Sequence, residues 1–194
     1  MASSIPRRSP DDELLRLVAR LFADAGLDGA IIGGMARNHW AIPRLTFDLD
    51  ITVIADARAE EAVLAAMEAA GFAILREQDR QSPSGPSFVQ TYNAETHQIV
   101  EFQAAKTPYQ QLLLERAQPM PGAEPLRVAT LEDMVVLKLI AFRDKDRDDL
   151  RELSPVGGLD WAYIEYWADE WQVTDRLKQV RDWQSTPNAD TGPP

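Results

Sequence analysis

The segment Leu45–Ile54 restricts this chain more than any other. Read alternately, it carries Thr46, Asp48, Asp50 and Thr52 on one face and Phe47, Leu49, Ile51 and Val53 on the other. Successive side chains of a strand point to opposite sides, so the segment is a strand with one apolar and one acidic face. A chain holding it must build a sheet and turn the apolar face to a core. Asp48 and Asp50 then project side by side from Cα atoms about 6.5–7 Å apart. Their carboxylates repel unless a cation sits between them, and a bridging divalent metal is the natural relief.

The elements around this strand follow from periodicity and from caps. Ser9-Pro10-Asp11-Asp12 starts a helix that Leu14, Leu17, Val18, Leu21 and Phe22 continue to about Ala25. Gly29–Ile32 is a short buried strand ended by Gly33-Gly34, and Met35–Ala41 is a short helix stopped before Pro43. Asp56 caps a helix over 57–70, closed by Gly71. Phe72–Leu75, Phe88–Tyr92 and Gln98–Phe102 read as strands, with a loop at Ser82–Pro86. A helix begins at Pro108, and the Pro-rich stretch 118–129 is extended. Thr130-Leu131-Glu132-Asp133 caps the longest helix, expected to run to about Leu153. Two more helices fall near 160–171 and 174–184, and their tryptophans, Trp161, Trp167, Trp171 and Trp183, are expected to pack helices on the sheet. The order implies an α+β fold: a mixed sheet flanked by helices, with a helical C-terminal part. The expected division is an arm at 1–8, a core at 9–129, a helical part at 130–184 and a polar tail at 185–194.

Composition narrows the chemistry. The 194 residues contain no cysteine and two histidines, His39 and His97, to which no role is assigned. Thiolate and multi-histidine metal sites are excluded, so any metal rests on carboxylate oxygens, which suits Mg2+ or Mn2+. The formal net charge of −11 argues against constitutive nucleic-acid binding, where a basic face supplies most of the affinity. Neither an apolar leader nor a run of roughly 20 apolar residues is present; a cytoplasmic chain with no membrane partner is the expectation.

Two further features stand in order with the acidic strand. Glycines between a strand and a helix let a phosphate approach the backbone at the positive end of the helix, and Gly33-Gly34 occupies that place. Glu101 lies within the apolar run Ile99-Val100-Glu101-Phe102, where a charge needs a reason. It is a candidate third carboxylate, or an edge-strand residue paired with Arg or Lys.

Gly33-Gly34, then Asp48-x-Asp50 on a strand, then Glu101 on a later strand resembles the nucleotidyltransferase superfamily. The helix carrying Lys138, Arg143, Asp146 and Asp149, with Arg44-x-Thr46 before the aspartates, is similar to the AbiEii-type group of abortive-infection toxins. The resemblance implies a nucleotidyltransferase fold. It also implies transfer of a nucleoside monophosphate from a nucleoside triphosphate to an acceptor hydroxyl. In that reading Asp48, Asp50 and Glu101 hold Mg2+ or Mn2+, or Glu101 serves as base. Gly33, Gly34, Arg44, Thr46 and Lys138 bind the nucleotide. Asp146 and Asp149, with Arg143, support the lysine or its helix. The implied acceptor is an RNA 3′ end such as that of tRNA, a protein or a small molecule, and the implied setting is a toxin–antitoxin pair with a cognate antitoxin.

Plainer readings stand beside these. Lys138 can be a core-helix lysine reaching outward, and Arg143–Arg151 a solvated ladder of i,i+4 pairs. On one continuous helix Lys138 and Asp149 lie about three turns apart, too far for a direct pair. A chain that keeps the fold but only binds a nucleotide or a partner, without catalysis, is the alternative function.

Overall fold

The computed structural model describes residues 10–44, 46, 48–53, 57–78 and 88–185. The arm at 1–8, the caps at Ser9 and Asp56, the loop Ser82–Pro86 and the tail after Ser185 lie outside those residues. The elements are α1 (Pro10–Ala25), β1 (Gly29–Ile32), α2 (Gly33–Trp40), β2 (Asp48–Val53), α3 (Ala57–Ala69), β3 (Phe72–Gln78), β4 (Phe88–Asn93), β5 (Gln98–Ala104), α4 (Pro108–Arg116), β6 (Gln118–Pro119), β7 (Arg127–Val128), α5 (Leu131–Ala141), α6 (Asp144–Leu153), α7 (Trp161–Glu170) and α8 (Thr174–Ser185). They gather into two compact units, one of Met1–Ala36 with Leu45–Ala129, the other of Arg37–Arg44 with Thr130–Pro194. Sequence patterning places no unit boundary at Arg37–Arg44, a segment whose two arginines lie against Asp149 of the same unit.

The first unit is built on a mixed sheet in the order β3-β4-β5-β2-β1-β7-β6. Strand β2 runs antiparallel to β1 and parallel to β5, while β4 lies antiparallel to both β5 and β3. Strand β7 adds in parallel to β1 and pairs with β6. These last two strands come from the stretch expected only to be extended, and at two residues each they are too short for periodicity to reveal. One face of the sheet is the core. Leu49, Ile51, Val89, Val100, Phe102 and Ala104 are buried on it, with Leu14, Val18 and Phe22 of α1 and Val63 and Met67 of α3 also buried. The Phe22 and Phe102 rings stack with centroids 6.0 Å apart, within the favourable range for an aromatic pair.

The second unit departs from the expected long helix. Helix α5 ends at Ala141, Phe142 takes a left-handed conformation (φ 49°), Arg143 is extended, and α6 begins at Asp144. A helix end leaves carbonyls without intrahelical partners. Arg176 of α8 meets two of them, its Nη1 donating to Leu139 O at 2.9 Å and Ile140 O at 2.7 Å. The Asp146 carboxylate accepts from the Arg143 backbone N–H at 3.1 Å and so caps the new helix. Apolar periodicity cannot register such a break, because both halves remain helical. At the other end of α5 the Thr130 cap forms as expected, its Oγ1 accepting from Asp133 N. The wholly buried Asp133 carboxylate accepts from Thr130 Oγ1 at 2.6 Å and Tyr163 Oη at 2.5 Å. Within this unit Trp183 stacks on Phe142, whereas Trp171 is substantially exposed.

Candidate active site

Strand β2 places the acidic pair by simple alternation. Leu49 and Ile51 are wholly buried in the core, and Asp48 and Asp50 lie half-buried on the opposite face. The parallel register with β5 sets Asp50 directly beside Glu101 and Asp48 beside Ile99. Asp50 and Glu101 share a side-chain hydrogen bond, while Asp48 acts on Asp50 through its charge. On the far side of β5, Gln90 of β4 stands opposite Glu101 and donates from Nε2 to Glu101 Oε1. Burial, then the hydrogen bond and charge of Glu101, then the charge of Asp48 push the Asp50 carboxyl up to about 7, against the Gly34 backbone hydrogen bond, which lowers it. A proton held between Asp50 and Glu101 relieves a repulsion that a cation would also relieve.

This carboxyl dictates the first glycine, and Thr46 dictates the second. Gly33 has φ 63°, and a Cβ on it would overlap Oδ2 of Asp50 and lie 2.6 Å from Cγ; a Cβ on Gly34 would overlap the Thr46 hydroxyl and lie 3.1 Å from the Thr46 Cβ. Helix α2 starts at Gly33 rather than at Met35. Its first turn therefore offers a backbone N–H to Asp50, and positive helix ends favour anions.

The remaining candidates assemble in the second unit. Lys138 Nζ lies 2.9 Å from Asp146 Oδ1 and 2.7 Å from Asp149 Oδ2. This corrects the expectation that Lys138 and Asp149 are too far apart to pair. The reversal at Phe142–Arg143 folds α6 back along α5, which a continuous helix would forbid. Asp149 also accepts from Arg44, Nε at 3.1 Å and Nη2 at 3.0 Å. The Arg37 Nε lies 3.2 Å from Asp149 Oδ1 without a hydrogen-bonding angle, so that contact is one of charge alone. Arg37 further pairs with Glu152 and donates to Ile42 O, and Asn38 ties the same segment by accepting from Arg44 N at 3.0 Å and donating to Arg44 O at 2.6 Å. Arg143 Nε donates to Asp146 Oδ2 at 2.7 Å. Burial raises both Asp146 and Asp149, yet hydrogen bonds from Arg143 and Lys138 to the first, and from Arg44 and Lys138 to the second, hold each below the usual carboxylate range. The residues on the outer side of α6 behave as the solvated ladder, with exposed i,i+3 pairs Arg147–Asp144 and Arg151–Asp148.

The structure thus joins Asp50, Glu101 and Gly34 in one unit and Arg44, Lys138, Arg143, Asp146 and Asp149 in the other. Sequence reading missed Gln90, an ordinary polar residue on an alternating strand, and the burial of Arg37, which it counted only among basic residues that could meet RNA and whose guanidinium is 1% exposed; a basic residue in a short helix carries no sign that it will be buried. Among the described residues no group of three or more acidic or histidine side chains is gathered as a metal would require. Asp48, Asp50 and Glu101 offer carboxylate oxygens, the donor type that a hard divalent cation takes, with two on one strand face and the third in register on the neighbouring strand.

No protein-family model matches the chain, and no curated protein matches it in sequence. Solved structures do match in fold. The crystal structure of ANT(2″)-Ia in complex with adenylyl-2″-tobramycin superposes with a TM-score of 0.62 at 14% identity, covering 84% of this chain and 98% of that one. An antigenic nucleotidyltransferase-like protein from Paracoccidioides brasiliensis gives 0.59 at 18% identity over 91% and 92%. This chain has the nucleotidyltransferase fold. The lincosamide antibiotic adenylyltransferase LnuA in its lincomycin-bound form, with a TM-score of 0.53 at 13% identity over 75% and 96%, shares it as well. On a nucleotidyltransferase fold, Gly33-Gly34 and the Asp48/Asp50 strand are adjacent by construction, since β1 and β2 pair directly with Ile32 opposite Asp50.

Proposed function

We propose that the chain is a nucleotidyltransferase that moves a nucleoside monophosphate from a nucleoside triphosphate to an acceptor hydroxyl, with Mg2+ or Mn2+ as cofactor. The observation that carries this reading is the Asp50–Glu101 pair across β2 and β5, set against the Gly33-Gly34 start of α2. In the reaction the acceptor oxygen bonds to the α-phosphorus, the α-phosphorus bond to the bridging oxygen breaks, and pyrophosphate leaves with that electron pair. A bound divalent cation would supply polarisation of the phosphate and neutralisation of developing charge; Asp48, Asp50 and Glu101 are the residues to hold it. Alternatively Glu101, which accepts a hydrogen bond from Gln90, would take the acceptor's proton as general base. The backbone N–H groups of the first turn of α2 are the seat for phosphate oxygens, with Thr46 beside them.

The matched structures support a small-molecule acceptor: one holds adenylyl-2″-tobramycin and another lincomycin. A toxin acting on tRNA or a protein, with a cognate antitoxin, rests on the Lys138–Asp149 motif alone. In that motif Lys138, Arg37 and Arg44 are bound to carboxylates. This ion pairing favours a framework role for Lys138 over direct phosphate contact. It is also the observation that keeps the alternative of a catalytically inactive binding protein in view.

The test is label transfer. Each α-labelled nucleoside triphosphate is incubated with Mg2+ and a panel of hydroxylated small molecules, RNA and protein, in parallel with an Asp48→Ala/Asp50→Ala variant. Transfer lost in the variant supports the reading, and transfer surviving it refutes the assigned site. Nucleotide binding without transfer to any acceptor supports the inactive alternative.

A further inference from the structure

The strand register carries the site further than the carboxylates. Asp50 stands opposite Glu101, Glu101 opposite Gln90, and Gln90 opposite Arg76 of β3. Paired residues on neighbouring strands share a face, so the four form one row across the sheet on the side away from the core. Arg76 reaches that row through an irregularity. Ile74 pairs with Thr91 and Arg76 with Gln90, so Leu75 is an extra residue bulged out of the ladder. Leu75 is 56% exposed. Without the bulge Leu75 would face Gln90, and Arg76 would turn to the buried side occupied by Val89 and Thr91. Bulges re-aim side chains in this way and are frequent beside active sites.

The row has a direction. The Gly33-Gly34 seat lies on the β1 side of β2, and Glu101, Gln90 and Arg76 lie on the other. An in-line displacement places the attacking oxygen opposite the departing pyrophosphate. The acceptor therefore belongs on the β5–β4–β3 side. Neighbouring strands are about 4.8 Å apart, so the Arg76 backbone stands about 10 Å from that of Glu101, a span suited to a sugar-sized acceptor. Arg76 is exposed and has no ion-pair partner among the described residues. The rest of the row carries no cation: it is one amide and two acids.

We propose that Arg76 and Gln90 form an acceptor subsite that selects a hydroxylated small molecule carrying an anionic group, a phosphate or carboxylate, about one sugar ring away from the reacting hydroxyl. Arg76 meets the anion, since guanidinium pairs well with such groups, and Gln90 holds Glu101 toward the hydroxyl. The subsite rests on the nucleotidyl-transfer reading for its role but not for its ligand preference.

Three probes with one scaffold separate the possibilities: glucose 6-phosphate, glucose and glucosamine. Their affinities are measured by NMR titration of the full chain, with and without Mg2+ and α,β-methylene ATP. Wild-type protein should bind glucose 6-phosphate at least tenfold more tightly than glucosamine. Arg76→Glu should abolish or invert that order, and Arg76→Lys should keep part of it. Because Arg76 is exposed, unchanged circular dichroism is expected for both variants. Failure of the wild type to bind glucose 6-phosphate, equal binding of all three sugars, or a preference that survives Arg76→Glu each overturns the subsite. Failure of the underlying reading appears separately, as α,β-methylene ATP binding that Asp48→Ala/Asp50→Ala leaves unchanged, while the sugar series without nucleotide still reports on Arg76.

Discussion

Asp50 and Glu101 face one another across the parallel strands β2 and β5, joined by a hydrogen bond between their carboxyl groups while the Gly34 backbone donates to Asp50 from the other side. Two acids so placed are stable only with a proton or a cation between them. The pair therefore links the stability of the fold to pH and to metal.

The first consequence concerns pH. The Asp50 carboxyl rises from an ordinary 3.8 to about 7 in the fold. A raised carboxyl holds its proton more tightly folded than unfolded, so its stabilisation is complete below the unfolded value and is lost as pH rises through about 7. Between those limits the metal-free protein should lose up to about 1.4 kcal/mol per pH unit from this one group. Urea denaturation across the range checks it, and Asp50→Asn should flatten the slope.

Asp146 and Asp149 act with the opposite sign. Their carboxyls are held low by Arg143, Arg44 and Lys138, so their contribution is present above the unfolded carboxylate pKa and lost as pH falls below it. Acid unfolding below about pH 4 should begin at higher pH in Lys138→Met than in wild type. A wild-type-like acid transition in that variant would refute the assignment.

A divalent cation should compete with the Asp50 proton. Mg2+ or Mn2+ at about a hundred times its dissociation constant is expected to raise stability by about 2.7 kcal/mol. The gain in Tm should be larger at pH 8 than at pH 5.5 and absent from Asp48→Ala/Asp50→Ala. Equal gains in wild type and variant would place the cation elsewhere.

Gly33→Ala should be among the most harmful single substitutions in the first unit. It meets both a positive φ and the Asp50 carboxylate. Strain of this kind costs about 1–3 kcal/mol, and Asp50 must also move. Lower urea midpoints together with weakened Mn2+ binding are expected. A stability loss with Mn2+ affinity intact would mean that Asp50 is not a ligand.

In the second unit, Asp149→Ala should cost more than Lys138→Met. The first leaves Arg37, Arg44 and Lys138 facing a missing acid, and breaking a buried pair costs about 3–5 kcal/mol. The second leaves Asp146 with Arg143, and Asp149 with Arg37 and Arg44. Chemical denaturation of both variants ranks them, and the reverse order would show that Lys138, not Asp149, is the hub.

The sequence by itself determined the parts whose physics is local. Alternation over β2 set Asp48 and Asp50 apart from Leu49 and Ile51, and a charge inside an apolar run singled out Glu101. Glycines after β1 marked the turn that only glycine can make against Asp50, and the Thr130 cap fixed the start of α5. Tertiary structure decided the rest. Strand register, a non-local hydrogen-bond pattern, put Glu101 beside Asp50 and drew in Gln90 and, through the Leu75 bulge, Arg76. The break at Phe142 is set by Arg176 satisfying the carbonyls of α5 and by Asp146 capping α6. Arg176 is remote in sequence, and Asp146, though close by, is a polar residue that an apolar period does not register. That break is why Lys138 and Asp149, about three turns apart on a continuous helix, meet at 2.7 Å in the fold.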